Sequence, residues 1–502
     1  MVMNVLRYII FIFSFLVLCS HCLAQTKAVV ADTSKNSLEK AIETFLADTD
    51  LKNAAFTFLA VDSKTGNAIA EHNPNMSIVP ASTMKLVTTA SALEMLGAGY
   101  RFKTTLQYTG SIDTAGVLHG DLYIKGGGDP TLGSKYFTSE KDPFFMNAWV
   151  DTLIKSGIKK IEGRVIADAS VYGWEMVPST WAWGDIGNGY GAAPCGISIY
   201  DNTCVLKFKT GSKAGDSAVI ECIMPYIPDL EFDNEVVTAN TNDDDSYIFG
   251  APYSYKRYIR GNLPKGQEDY SVKGSIPDPS YLAAFELENA LLQAGVELNK
   301  SATTLLELKM MNKADTASRK DLYIHYSPYL SSIVYWTNLV SVNLFAEHLM
   351  NQIGYVKYGN GTVGSGTAAV TNFWAAKGID TKGMYVTDGS GLSRFDAVSA
   401  KHLVDILLYM QKSKNASTFE KSLPVAGKSG TLSHLCKGTK AQGNLTAKSG
   451  TMQRVKSYAG YVTTKSGKKL AFTMIVNNFN CTTRQMEKKL EKLMVAMADF
   501  NQ

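Results

Sequence analysis

The chain has 502 residues, more than one hydrophobic core usually serves, so about two or three domains are expected. Apolar residues make up 45% and charged residues 19% of the sequence, as in an ordinary globular protein. The formal net charge is only +4 and no basic run carries interleaved aromatic residues, which excludes nucleic acid from the expected partners.

The N-terminus has the pattern of a secretory signal peptide. Arg7 precedes an apolar run, and small residues end the segment at Ala24, so residues 1–24 are predicted to be a leader cleaved after Ala24. The alternative is a lipoprotein anchor at Cys19 or Cys22, but the small preceding residue that such processing prefers is missing at both. We therefore expect export to the periplasm. No later segment is long and apolar enough for a transmembrane anchor.

The cysteines predict neither a disulfide framework nor a metal site. Five follow the leader at wide spacing, although Cys195 and Cys204 could close one loop. No Cys-x-x-Cys or His-x-x-x-His pair occurs after the leader, so no metal or cofactor is expected. The cysteines are interpreted as small buried residues, and the five are Cys195, Cys204, Cys222, Cys436 and Cys481.

Secondary-structure patterns divide the mature chain into three parts. The first is predicted to contain a helix capped by Ser37, a strand pair and an apolar helix beginning at Ser82. The middle part alternates short strands and turns, and its acidic run at 242–245 is interpreted as a solvated loop. The last part is helical and ends in two strands and a helix. The predicted helices are 37–47, 86–96, 327–353, 400–411 and 482–500, and the strands include 54–62, 67–72, 104–108, 121–125, 457–463 and 469–477.

Two α/β parts on either side of a β-rich stretch predict one domain interrupted by an insertion. The interrupted domain is assigned to residues 25–105 and 321–502, and the insertion to 106–320. Within the insertion we expect two subdomains, 106–200 with 274–320, and 201–273.

Ser82 and Lys85 carry the strongest chemical signal. Three positions apart on an almost uncharged helix, they lie on one face, about 5–6 Å apart at Cβ. A neutral amine there can take the hydroxyl's proton, which is the layout of a serine nucleophile with a lysine base. The alternative is a helix cap with a snorkelling lysine. The same spacing occurs in a helix cap, a helix-ending turn and a hairpin tip, at 37/40, 156/159 and 466/469.

Two further motifs supply an amide, a second hydroxyl and a cation. Ser341 and Asn343 lie in a predicted apolar helix, where polar groups need partners. On a regular helix they diverge, so both reach one cleft only if the local turn is irregular; otherwise they are helix-surface residues. Lys-Ser-Gly-Thr occurs twice, at 428–431 and 448–451. The second copy is favoured as the functional one, because it is predicted to be an edge strand that ends in glycine, and a substrate backbone can pair with such a strand.

In this order the motifs SxxK, SxN and K[ST]G resemble those of the penicillin-recognising serine enzymes. Ser82 and Ser341 are 259 positions apart, whereas simple β-lactamases keep these motifs far closer together. A large insertion between the motifs resembles the S13 peptidases, the D-alanyl-D-alanine carboxypeptidase/endopeptidases among the penicillin-binding proteins. The stretches 120–132, 388–394 and 445–478 are also similar to this family. Val342 and Ser449 depart from the usual motif residues, and an arginine expected near Leu435 is missing.

The resemblance implies an α/β fold, with a β-lactamase/transpeptidase-like antiparallel sheet and flanking helices interrupted by a large β-rich insertion. It implies peptidoglycan stem peptides as substrates and β-lactam antibiotics as covalent inhibitors. Ser82 would be the nucleophile and Lys85 its base, with a pKa lowered by burial and by the charge of Lys448. Ser341 would relay the proton to the leaving amine, while Asn343 holds the peptide.

The resemblance also implies the substrate-binding groups. Lys448, Ser449 and Thr451 would bind the terminal carboxylate, beside Gly450, and the N–H groups of Ser82 and Thr451 would form the oxyanion hole. Asp168, Arg394 and Gln453 are candidates for binding the stem peptide, although a structural ion pair is an alternative for Asp168 and Arg394. The alternative functions are a β-lactamase, whose deacylating base would be Glu347 in Glu347-x-x-x-Asn351, and a catalytically silent wall-binding protein.

Overall fold

The computed structural model describes residues 35–141, 144–314 and 316–501. The predicted signal peptide lies outside the described residues. Within them, no helix combines the length and apolar character needed to cross a membrane. The helices are α1 (Ser37–Leu46), α2 (Met84–Met95), α3 (Phe144–Lys155), α4 (Trp183–Ile186), α5 (Pro279–Gln293), α6 (Leu305–Met310), α7 (Leu330–Leu339), α8 (Asn343–Tyr358), α9 (Val363–Ala376), α10 (Ala400–Lys412), α11 (Ala416–Lys421) and α12 (Thr483–Asp499).

Among the residues that the structure describes, the strands form five sheets. They are β1 (Ala55–Asp62), β2 (Ala68–His72), β3 (Lys103–Tyr108), β4 (Ser111–Ile112), β5 (Val117–His119), β6 (Leu122–Lys125), β7 (Lys160–Ile161), β8 (Val165–Asp168), β9 (Thr203–Thr210), β10 (Ala218–Met224), β11 (Glu231–Ala239), β12 (Tyr247–Phe249), β13 (Lys256–Pro264), β14 (Tyr270–Ser275), β15 (Glu297–Leu298), β16 (Thr303–Thr304), β17 (Lys320–Tyr326), β18 (Thr446–Met452), β19 (Val455–Thr463) and β20 (Lys469–Asn477).

The sheet that carries the site joins the two ends of the described chain. It is antiparallel, in the order β18-β19-β20-β1-β2. Alternate residues of β1 face opposite sides, as strand geometry requires. Phe58 packs in one apolar core with residues of α1 and α12, and Leu59 in another with residues of α2, α8 and α10. The sheet is therefore covered by helices on both faces.

The start of α1 differs from the prediction. Asn36, not Ser37, is the N-cap, because its side chain accepts hydrogen bonds from the backbone N–H groups of Leu38 and Glu39. Glu39 in turn accepts a bond from the Asn36 N–H, which completes a capping box. Ser37 is the first residue inside the helix.

The middle of the chain has its own sheets and its own core. β16-β8-β6-β3-β17 and β15-β7-β5-β4 form two sheets, and β10-β9-β14 and β11-β13-β12 form two more. One cluster of buried apolar side chains extends from Leu106 to Ala302, so these sheets share a continuous core. The acidic loop 242–245 is exposed, as predicted.

The cysteines are all free within the described residues, so Cys195 and Cys204 do not close a loop. The predicted burial is confirmed for Cys195, Cys204 and Cys436, but it is wrong for Cys222, which is exposed, and for Cys481, which is only partly buried.

The predicted helix 327–353 is two helices. α7 ends at Leu339 and α8 begins at Asn343, and between them Ser341 has a φ of +64°, a left-handed conformation that breaks a helix. The irregular turn on which the Ser341–Asn343 prediction depended is therefore present.

Candidate active site

Ser82 lies in a tight turn against the edge of the sheet. The 3₁₀ turn Ala81–Thr83 leads directly into α2. Ser457 of β19 anchors this turn by donating its hydroxyl proton to the Pro80 carbonyl at 2.5 Å. A Cβ on Gly450 of β18 would lie 2.6 Å from the Pro80 oxygen and 3.0 Å from the Ser82 nitrogen. Only glycine allows this approach, which brings the Ser82 N–H beside the edge strand.

Lys85 is fully buried directly behind Ser82. Its Nζ lies within hydrogen-bond distance of Ser82 Oγ at 3.0 Å, Asn343 Oδ1 at 2.6 Å and the Ser390 carbonyl at 2.7 Å. Burial lowers the pKa of Lys85 to about 8, although nearby carboxylates, Asp388 first, partly oppose this shift. The charges of Lys85 and Lys448 repel each other, and this repulsion is seen in the lowered pKa of Lys448.

Two buried carboxylates shape the loop behind Lys85. Glu347 accepts the N–H groups of Gly389 and Ser390, at 2.9 and 2.7 Å. Asp388 accepts the N–H groups of Gly391 and Ser393 and the indole N–H of Trp181. These bonds aim the Ser390 carbonyl at Lys85. Burial raises the pKa of Glu347 to about 8.

The broken helix brings the second motif to the same place. Asn343 accepts from Lys85 through Oδ1 and donates through Nδ2 to the Tyr190 carbonyl at 2.8 Å, which fixes the orientation of its amide. Ser341 Oγ accepts from Lys448 Nζ at 2.8 Å. The hydroxyl of the second motif is thus paired with the third motif, and its amide with the first.

Lys448 lies behind Ser341 and not at the cleft surface. It is fully buried and also donates to the Ser449 carbonyl at 2.7 Å. Burial lowers its pKa well below the ordinary value, and the charges of Lys85 and Lys456 add to the effect. This position favours a role through Ser341 over the predicted direct contact with a substrate carboxylate.

The strand that carries Lys448 does not end at Gly450. β18 continues to Met452 and turns into β19, and it is the edge of its sheet, as predicted. Ser449 Oγ donates to Thr431 Oγ1 at 2.7 Å, so the first Lys-Ser-Gly-Thr copy supports the second. Thr451 Oγ1 accepts from Lys456 Nζ at 2.9 Å, which places a charged donor behind the threonine.

A cleft of about 510 Å³ opens in front of Ser82. The structure brings six predicted residues together on its wall: Ser82, Ser341, Asn343, Thr451, Arg394 and Gln453. Three lining residues from the middle of the chain were missed by the sequence reasoning: Asp185, Tyr190 and Tyr247. No local pattern marks them, because they reach the cleft only through the tertiary fold.

Asp168 is not part of the cleft wall. It is buried at the end of β8, and its carboxylate pairs with the Arg319 guanidinium at 2.6 Å. The same guanidinium stacks on the Tyr123 ring. Desolvation would raise the pKa of this carboxyl, but hydrogen bonds from Ser170 and Arg319 outweigh it and hold the pKa low. The structure therefore favours the ion-pair alternative, with Arg319 and not Arg394 as the partner.

The ion pair predicts a stability effect without a catalytic one. Asp168→Asn leaves the Arg319 guanidinium unpaired in a largely buried position, which we expect to cost about 2–3 kcal/mol of unfolding free energy, less than for a fully buried pair because Arg319 is partly exposed. Urea denaturation and steady-state kinetics on one preparation measure both. A large fall in kcat/KM without a loss of stability would contradict the structural role and indicate that Asp168 binds substrate.

The family model of the D-Ala-D-Ala carboxypeptidase 3 (S13) family matches residues 38–500 of this chain. The chain belongs to the S13 peptidase family. A D-alanyl-D-alanine carboxypeptidase from an Actinomadura species is 31% identical over 454 residues, which are 88% of this chain and 81% of the relative. A D-alanyl-D-alanine carboxypeptidase of Haemophilus influenzae is 26% identical, covering 88% of this chain and 89% of that protein.

The S13 chain also shares its fold with a solved structure. The crystal structure of penicillin binding protein 4 from Haemophilus influenzae matches with a TM-score of 0.75 at 23% identity, over 88% of this chain and 95% of that one. The predicted family and fold class are confirmed.

Proposed function

We propose that this S13 peptidase is an exported, periplasmic serine-type D-Ala-D-Ala carboxypeptidase or endopeptidase that cleaves peptidoglycan stem peptides through an acyl-enzyme on Ser82. One observation carries the assignment. The Lys85 amine has three near neighbours, and two of them, the Asn343 amide oxygen and the Ser390 carbonyl, only accept hydrogen bonds. When Lys85 loses a proton, its lone pair can therefore face only Ser82 Oγ.

Acylation follows from this arrangement. Neutral Lys85 takes the Ser82 proton as Oγ attacks the carbonyl between the two D-alanines. The N–H groups of Ser82 and Thr451 are proposed to stabilise the oxyanion, which is supported by the close packing of Gly450 against the Ser82 turn.

The leaving amine needs a proton on the other side of the cleft. Ser341 is proposed to donate its proton to that nitrogen and to regain one from Lys448, which hydrogen-bonds its Oγ. The proton that Lys448 has lost is then replaced by the proton of the Lys85 ammonium. Lys85 is neutral again and can take a proton from the water that attacks the ester, and return of this proton to Ser82 Oγ releases the product.

The pKa of Lys85 predicts the pH dependence. At pH values below its pKa of about 8, the Lys85 amine is mostly an ammonium, which cannot accept the Ser82 proton. The acylation rate by a penicillin is expected to rise with pH, to be half-maximal near pH 8 and to level off above it. A stopped-flow rate that is flat between pH 6 and 9 would contradict Lys85 as the base.

Two charged residues of the cleft wall are proposed to bind the stem peptide. Asp185 is fixed by a hydrogen bond from the Tyr190 hydroxyl at 2.9 Å, and Arg394 lines the same cleft. A carboxylate and a guanidinium together suit a substrate residue that carries both an amino and a carboxyl group, such as a diamino acid. Gln453 adds an uncharged donor and acceptor.

Asp185→Asn is expected to raise KM about tenfold for a peptide with a free side-chain amine, because one charge-assisted hydrogen bond is lost. The same peptide acetylated on its side-chain amine serves as the matched substrate. Asp185→Asn is expected to leave the KM for this acetylated peptide unchanged. An equal loss on both peptides would contradict recognition of the amine.

The catalytic domain of this proposal consists of residues 25–105 and 321–502, with 106–320 inserted and divided into 106–200 with 274–320, and 201–273. β3 pairs with β17 within a sheet of the inserted region. This pairing supports a longer insertion, which begins at Lys103 and ends at Tyr326.

The test of the function is digestion of purified muropeptides. Wild type is expected to release D-alanine from pentapeptides, or to split cross-linked dimers, and Ser82→Ala to do neither. Hydrolysis of a chromogenic cephalosporin at many turnovers would favour the β-lactamase alternative. Against it, Glu347 is buried, hydrogen-bonded to two backbone N–H groups and absent from the cleft wall, so it is not placed to activate a water.

A further inference from the structure

A second cavity lies on the other side of the Ser341 turn. It is open to solvent, has a volume of about 200 Å³ and shares Ser341, Asn343 and Tyr190 with the catalytic cleft, so the two spaces meet at the SxN motif. We call it the lysine cavity, after Lys135 and Lys273 on its wall. The mechanism above uses neither lysine.

The two lysines are exposed residues that line the same cavity without a matching pair of carboxylates. The charge of Lys135 is the first cause that lowers the pKa of Lys273, ahead of burial, so the two amines are close enough to repel. Lys135 also lies over the Tyr136 ring, with Nζ 4.9 Å from its centroid, which fixes this amine at the cavity wall. Two cations held together in this way favour a bound anion.

Asp201 is the acidic residue of the cavity wall and does not neutralise it. Burial raises the pKa of Asp201, and hydrogen bonding from the Ser134 hydroxyl and the Lys135 N–H opposes this shift. The Oδ1 atom of Asp201 is buried without a hydrogen-bond partner among the described residues. Asp201 is also the middle one of three consecutive residues with positive φ, 57°, 57° and 51°, a strained conformation of the kind often kept at functional sites. One carboxylate against two amines leaves a net charge of +1.

We propose that the lysine cavity binds a carboxylate of the peptidoglycan substrate, in addition to the groups held in the catalytic cleft. This inference rests on the proposed function and deepens it. The small volume and the single excess positive charge suit a carboxylate better than a doubly charged phosphate. Because the cavity shares Ser341 and Asn343 with the cleft, its occupant belongs either to the cleaved stem peptide or to the second strand of a cross-linked dimer.

Direct binding tests the inference independently of turnover. Calorimetry in the Ser82→Ala background compares two ligands, a pentapeptide muropeptide and a cross-linked dimer. Each ligand is used in two forms. In one form all carboxylates are free, and in the other every carboxyl group is amidated except that of the terminal D-alanine. Adding Lys273→Met is expected to weaken binding about tenfold for a free-carboxylate ligand and not for its amidated form. An effect on the monomer assigns the carboxylate to the cleaved stem, and an effect on the dimer alone assigns it to the second strand.

The controls separate charge from structure. Lys273→Arg keeps the charge and is expected to restore most of the affinity. Lys64→Met removes an exposed lysine from the β1–β2 turn, changes the net charge equally and is expected to have no effect. Added salt should weaken binding by the parent more than by Lys273→Met.

Three outcomes overturn the inference: equal binding by the parent and Lys273→Met, equal losses on free and amidated ligands, and no binding of either ligand. If binding depends on Lys273 but the wild type releases no D-alanine and splits no dimer, the inference stands and the proposed function fails. If the wild type is active and binding is independent of Lys273, only the inference fails.

Discussion

Replacing Lys85 by methionine is expected to lower the rate of Ser82 acylation by at least about a thousandfold, because the hydroxyl loses its only general base. Methionine fills similar space in the fully buried position, and it removes the unpaired charge together with the amine. The fold should therefore persist. The acylation rate by a fluorescent penicillin, with the unfolding midpoint measured alongside, checks both expectations.

The matched control for this variant is Lys40→Met. Lys40 belongs to a chance Ser-x-x-Lys copy on α1 and is exposed. The fluorescent penicillin should label the Lys40→Met variant at the wild-type rate. A Lys85→Met protein that is folded and acylates within about tenfold of wild type would rule out the lysine as base.

Lys448→Met is expected to lower kcat by about a hundredfold or more and to change KM little. Lys448 is buried and donates to Ser341 Oγ and the Ser449 carbonyl, so its loss affects proton delivery to the leaving amine more than ground-state binding. Steady-state kinetics on a D-Ala-D-Ala peptide separate the two parameters.

The duplicated motif provides the control for Lys448. Lys428, in the first Lys-Ser-Gly-Thr copy, is exposed, and Lys428→Met is expected to leave both parameters unchanged. If Lys448→Met instead raises KM with kcat preserved, the lysine binds the substrate carboxylate directly, as the family resemblance implies.

The sequence predicted the elements that depend on local chemistry. The strand pair β1–β2, the hairpin β19–β20 and the helix after Ser82 appear close to the predicted ranges, because alternation, turn residues and an apolar run are local signals. The break at Ser341 is different: 327–353 reads as one apolar helix, and only tertiary contacts hold a non-glycine residue at positive φ.

The site shows the same division. The spacing of Ser82 and Lys85 follows from helix geometry and could be predicted from sequence. Asp185 and Tyr190 could not be found, because they enter the cleft from the inserted region through folding alone. The family resemblance implies a binding role for Asp168, but its partner Arg319 is 151 positions away, so no local sequence pattern predicts their ion pair.

The most direct test of the central claim is the site of covalent attachment of a penicillin. Intact-mass measurement followed by peptide mapping of the labelled wild type should find one adduct, on the peptide that contains Ser82. Ser82→Ala should carry none, while Ser37→Ala, in the chance copy on α1, should label normally. An adduct on another residue, or one that persists in folded Ser82→Ala, would contradict Ser82 as the nucleophile.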